Sequence, residues 1–134
     1  MRLREAQCSP LLRLVLSFCL LFAMCGSSTD AAAHARLVKS IPAANALLSK
    51  APRLIALWFN EPSEIAFSTI EVRDEHGHGL ATGAVHARDS KALEIPLLTT
   101  LPPGRYRVKY RVLSVDGHVI DASFKFELRK PEAP

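Results

Sequence analysis

Sulfur is confined to one end of this chain. Its three cysteines (Cys8, Cys19, Cys25) and two methionines (Met1, Met24) all precede residue 26 of 134. Beyond that point no thiol or thioether is available, which excludes disulfide staples, cysteine zinc sites and soft sulfur ligation. Long apolar runs are lacking as well. The run at 14–24 is interrupted upstream by Arg13 and covers about 11 residues, whereas a membrane-spanning helix needs about 20. Aromatics make up 7% of the chain, with a single Trp. Neither charge sign dominates: the formal net charge is +4, spread without long runs, too mild and dispersed for a nucleic-acid binder.

What is present begins with an export signal. Arg2 and Arg4 supply a charged start, residues 14–24 an apolar core, and Ala31-Ala32-Ala33 a small-residue cleavage site. Residues 1–33 are therefore expected to be removed, leaving His34 as the first residue of a domain at 34–134. A competing reading places a lipid-modified amino terminus at Cys25. Of 17 Lys+Arg, three (Arg2, Arg4, Arg13) precede His34, as do two (Glu5, Asp30) of 13 Asp+Glu, so the mature charge is +3. All five histidines remain, and the length suits one domain without staples.

The mature sequence alternates apolar and polar residues with period two, broken often by Pro or Gly, which predicts short strands and an all-β fold. The clearest strands fall at 53–59, 68–74, 92–97, 105–115 and 122–128. Tyr106, Val108, Tyr110 and Val112 should face inward, with Arg105, Arg107, Lys109 and Arg111 in solvent. Asp116-Gly117 is a turn signal joining the last two strands as an antiparallel pair. Residues 74–79 and 101–104 read as further turns. Residues 46–51 read as the one place for a helical turn, entered through Asn45, which tolerates a left-handed backbone. Trp58 reads as a core aromatic, and 129–134 as a frayed tail. Five to seven strands in two layers suggest a sandwich or Greek-key barrel.

The chemistry concentrates on histidine. An amino-terminal histidine offers two nitrogens, its α-amino group and Nδ1, which close a six-membered chelate ring around a metal. Asp116 and His118, two apart on an extended segment, point the same way, and Gly117 lets the backbone turn between them. Three nitrogens and a carboxylate oxygen in a tetragonal arrangement suit Cu(II). Taken alone, Asp116-Gly117-His118 reads first as an ordinary hairpin turn with a solvated histidine. His76 and His78 flank Gly77 in another turn and read as metal-capturing or simply solvated. His86 reads as an exposed strand position.

The mature sequence resembles the CopC family of periplasmic copper-resistance proteins. The resemblance runs through His34-Ala35-Arg36-Leu37, Ser40-Ile41-Pro42-Ala43, Ala51-Pro52, Leu57-Trp58-Phe59-Asn60-Glu61-Pro62, Tyr106-Arg107-Val108, the block from Tyr110 to His118, and Phe124-Lys125-Phe126. It implies an immunoglobulin-like Greek-key β-sandwich of cupredoxin-like topology, about seven strands, monomeric and periplasmic. It implies one Cu(II) per mature chain on His34, Asp116 and His118, with Glu61 hydrogen-bonded to a ligand and orienting it. It further implies a copper carrier or buffer, not an enzyme, that supplies or withholds copper from a CopD-type inner-membrane transporter. Asn45 stands where the family commonly has Gly, and Val119 and Ala122 where it has Pro and Gly. The methionine-rich Cu(I) site of some members has no counterpart, so a single Cu(II) site is expected. Two other readings remain: a histidine-brace copper monooxygenase, and a metal-free immunoglobulin-like interaction module.

Overall fold

The computed structural model describes residues 35–130, all strands and turns. His34, the signal segment with Cys25, and the last four residues lie outside the described residues. Eight strands follow in order: β1 (Leu37–Ile41), β2 (Leu47–Leu48), β3 (Leu54–Phe59), β4 (Ser63–Asp74), β5 (His86–Asp89), β6 (Ala92–Pro96), β7 (Gly104–Ser114) and β8 (Val119–Leu128). They form two four-stranded sheets, β1-β3-β6-β5 and β2-β8-β7-β4. Every pairing is antiparallel except β2 with β8.

Alternation fills the space between the sheets. On β7, Tyr106, Val108, Tyr110 and Val112 are buried while Arg105, Arg107, Lys109 and Arg111 are exposed, as the period-two pattern predicts. They meet Ile55, Leu57 and Phe59 of β3 and Leu93 and Ile95 of β6 in one hydrophobic core. Phe59 packs edge-on against Tyr110 at 6.0 Å between ring centroids, and Tyr106 stacks on Phe126 at 5.3 Å. The Tyr106 hydroxyl donates to the Pro102 carbonyl and ties the 101–104 turn to the sheet, as a tyrosine corner does in immunoglobulin-like sandwiches.

Three local expectations are corrected. The segment at 46–51 makes no helical turn: Leu47 and Leu48 add a short parallel strand to the edge of β8, held by Glu127 N–H to the Ala46 carbonyl (2.9 Å) and Arg129 N–H to the Leu48 carbonyl (2.8 Å). Unpaired backbone groups on that edge outweigh a weak local helical preference. Asn45 does take the left-handed backbone, at φ 61°. Trp58 is half-buried and outside the core cluster, its ring flanked by Lys39 Nζ at 4.8 Å and the Arg88 guanidinium at 5.5 Å. Finally, β4 starts five residues before the expected 68, because a register shift between Glu64 and Thr69 hides its alternation. Ser68 holds that bulge: its hydroxyl donates to the Glu64 carbonyl at 2.6 Å and accepts from Leu113 N–H at 3.3 Å.

Leu57 is fully buried, so Leu57→Ala should destabilise the domain by about 2–5 kcal/mol, read as a lower urea midpoint at unchanged m. Val38 is 62% exposed, and Val38→Ala should stay within about 0.5 kcal/mol of the parent.

Candidate metal centre

The β7–β8 connection holds Asp116 and His118 against each other. Ser114 ends β7, and two backbone bonds close the turn: Ser114 N–H to the His118 carbonyl (2.8 Å) and Gly117 N–H to the Ser114 carbonyl (2.9 Å). Gly117 sits at φ 91°, a left-handed conformation that a side chain would strain. The Asp116 carboxylate folds back over this turn. One oxygen accepts from His118 N–H at 3.2 Å, and the other lies 2.8 Å from His118 Nδ1. Both side chains face solvent, with relative exposures of 40% for Asp116 and 61% for His118.

Hydrogen bonding sets the charge state of Asp116. Its bond with the Ser114 side chain is the largest influence, followed by those from the His118 ring and backbone N–H, and together they hold the carboxyl well below the usual carboxylate range. Ser114 itself is buried, and its hydroxyl donates to Glu61 Oε2 at 3.3 Å. A single hydroxyl hydrogen serves one carboxylate at a time, so Glu61 and Asp116 share Ser114 as a common partner.

The loop carrying Glu61 joins the two sheets at this end of the sandwich. On one side Asn60 Oδ1 accepts from Arg36 N–H at 2.6 Å, while Asn60 N–H donates to the Arg36 carbonyl at 3.1 Å. On the other, the Pro62 carbonyl accepts from Val115 N–H at 3.1 Å. Residues 36 and 115 are thus bound to positions two residues apart, a span of at most about 7 Å. The start of the described chain and the residue before Asp116 converge on one short loop.

Among the sequence-derived candidates, the structure brings Asp116 and His118 into direct contact and places Glu61 one hydroxyl away, bonded to Ser114. His34 lies outside the described residues. Among the described residues no group of three or more His, Cys, Asp or Glu side chains gathers to hold a metal. Neither Asn60 nor Ser114 was among the sequence-derived site candidates. Ser114 had a legible signal, because it continues the inward register of Tyr106, Val108, Tyr110 and Val112, where a polar residue is out of place.

His76 and His78 belong elsewhere. Asp74 accepts from both of their backbone N–H groups at 2.9 Å and lies 3.3 Å from His78 Nδ1. Burial pushes the Asp74 carboxyl up, but these bonds outweigh it and leave it lowered. Asp74 pairs with Tyr106 at the start of β7, whereas Ser63 pairs with Ser114 at its end. At about 3.3 Å per residue, the strand between residues 106 and 114 puts about 26 Å between the two turns, too far for a shared ion. His86 opens β5 and is exposed, as expected.

The sequence pattern of the CopC domain matches residues 37–129. The chain belongs to the CopC family. It is 36% identical to Protein YobA of Escherichia coli K12 over 99 residues, covering 72% of this chain and 80% of that one. It is 33% identical to Copper resistance protein C of Xanthomonas campestris pv. juglandis over 110 residues, covering 77% and 86%. The crystal structure of CopC from Methylosinus trichosporium OB3b superimposes with a TM-score of 0.67 at 30% identity, covering 75% of this chain and 99% of that one. The all-β sandwich and a copper-related function follow from this membership, with copper ion as the partner. Among the described residues, no helix is long and apolar enough to cross a membrane.

The carboxylate of this CopC-family turn carries a pH signature. Asp116 is depressed in the folded state, so its stabilisation is complete above the ordinary carboxylate range and disappears as pH falls through that range toward the folded value. Asp116→Asn should accordingly lose less of its urea midpoint than wild type between pH 7 and 3, Asp74 contributing alike to both. Ser114→Ala should move the Asp116 titration, followed by NMR, up toward the ordinary value of about 3.9.

Proposed function

We propose that the exported chain, cleaved ahead of His34, carries one Cu(II) ion on the α-amino nitrogen and Nδ1 of His34, a carboxylate oxygen of Asp116 and the ring of His118. The observation that carries this reading is the convergence of Arg36 and of Val115, the residue before Asp116, on the 60–62 loop. Two extended residues reach about 7 Å, enough for position 34 to approach the turn from Arg36.

The donor set fits the ion. It is nitrogen and oxygen throughout, and the residues after Met24 offer no sulfur to favour Cu(I). Asp116 Oδ2 and His118 Nδ1 are 2.8 Å apart, close to the spacing of two donors at right angles about 2.0 Å from a metal. Asp116 is already anionic, so binding costs no proton there. Binding releases one proton from the amino group where that group is protonated, and copper takes the place of the hydrogen bond between Asp116 and His118. Glu61 and Ser114 support Asp116 from behind and hold its orientation.

In this reading the protein is a periplasmic carrier and buffer, not an enzyme, and it supplies copper to, or withholds it from, a CopD-type membrane importer. Its single Cu(II) site works without a methionine-based Cu(I) partner site.

Cu(II) titration of the mature protein, with its amino terminus sequenced, tests the site. One residue added ahead of His34 removes the chelate, and affinity should drop at least about a hundredfold; unchanged affinity refutes the proposal. Asp116→Ala and His118→Ala should each weaken binding, and Glu61→Gln by about tenfold. Affinity should fall as pH is lowered through about 8, where protons compete with copper for the amino nitrogen. Asp116 adds nothing to that slope, because it stays ionised across it.

A further inference from the structure

The mature chain's modest positive charge is not evenly distributed on the folded domain. On the outward face of the β2-β8-β7-β4 sheet, Arg73 of β4 pairs directly with Arg107 of β7, and Arg107 with Lys125 of β8. Three cations therefore stand side by side across three strands, with Arg105 and Lys109 two residues to either side of Arg107. Like charges directly opposite one another destabilise a sheet. The acids of this face are ion-paired to Arg73 within the row and to two cations beside it: Glu71, which stands opposite Lys109, to Arg73 at 2.9 Å, Asp121 to Arg111 at 3.4 Å and Glu127 to Arg105 at 3.8 Å. Among the described residues no ion pair engages Arg107, Lys109 or Lys125. Asp74 and Glu75 border one corner, and Asp74 is occupied by its own turn.

We propose that this face is a docking surface for the anionic headgroups of a lipid bilayer. A protein partner is the poorer match, since protein interfaces are apolar at the centre and polar at the rim. This surface is the reverse. Its centre is charged, with only Thr69 and Ser123 among the uncharged outward positions there, and hydrocarbon appears at one end. There Val119 is 49% exposed, Val115 60% and Phe67 69%. Basic side chains over headgroups with apolar side chains at the margin suit the boundary between headgroups and acyl chains. Docking in this way sets the Asp116–His118 turn beside the membrane. The surface uses neither residue, so it stands or falls apart from the copper reading.

Vesicle co-sedimentation of the exported protein tests the surface. Partition onto phosphatidylcholine vesicles containing phosphatidylglycerol should exceed that onto pure phosphatidylcholine by about tenfold at low salt. The excess should vanish near 1 M salt, where screening acts within about 3 Å. Arg107→Glu places an anion between Arg73 and Lys125, so it should melt no lower than wild type while losing most of the excess. Lys91→Glu makes the same charge change in the β5–β6 turn of the other sheet and should keep it. Equal partition onto both vesicles, or equal losses in the two variants, overturns the assignment. Capture by a polyglutamate matrix without binding to anionic vesicles indicates an acidic protein partner and overturns it too.

Discussion

Strand β7 pairs with β8 from Gly104 to Leu113 without a register shift, and that uninterrupted ladder settles three features of the domain together. Its inward residues supply the aromatic and aliphatic centre of the core. Its outward residues, Arg105, Arg107, Lys109 and Arg111, supply most of the cationic face. Its last inward position, Ser114, brings a hydroxyl to the base of the Asp116–His118 turn. A one-residue slip would exchange the two faces: arginines would enter the core, and Ser114 would leave both carboxylates. Core burial therefore protects the geometry of the site as well as the stability of the fold.

The second constraint is polar and local. The 60–62 loop bonds to Arg36 through Asn60, to Ser114 through Glu61 and to Val115 through Pro62. These bonds join the two sheets at one end. The opposite end has a turn of similar construction, with an aspartate accepting backbone N–H groups and a histidine beside its carboxylate, yet among the described residues no comparable loop ties Arg36 to it. Two similar turns thus differ in what packs beside them.

Much of the fold was legible because its longest strands are half-buried and carry clean alternation. The hairpin of β7 and β8 and the inward set of Tyr106 to Val112 needed only the period. β4 was legible only from Ser68 onward, because its bulge breaks the period. β2 was missed because two leucines carry no pattern, and their place depends on the open edge of a strand about eighty residues later. Trp58 was misread because hydrophobic character alone does not distinguish a core ring from one covered by Lys39 and Arg88.

The sequence by itself determined the chemistry on offer: histidine and carboxylate without sulfur after residue 25, an all-β domain, and an aspartate and histidine either side of a glycine. These follow from residue type and near-neighbour spacing, which local physics governs. Tertiary structure alone decided that Ser114 links Glu61 to Asp116, that the 60–62 loop gathers Arg36 and Val115, that the two histidine turns lie at opposite ends, and that Arg73, Arg107 and Lys125 form one row. Each depends on the register between strands far apart in the chain, which is selected by burial of the whole core.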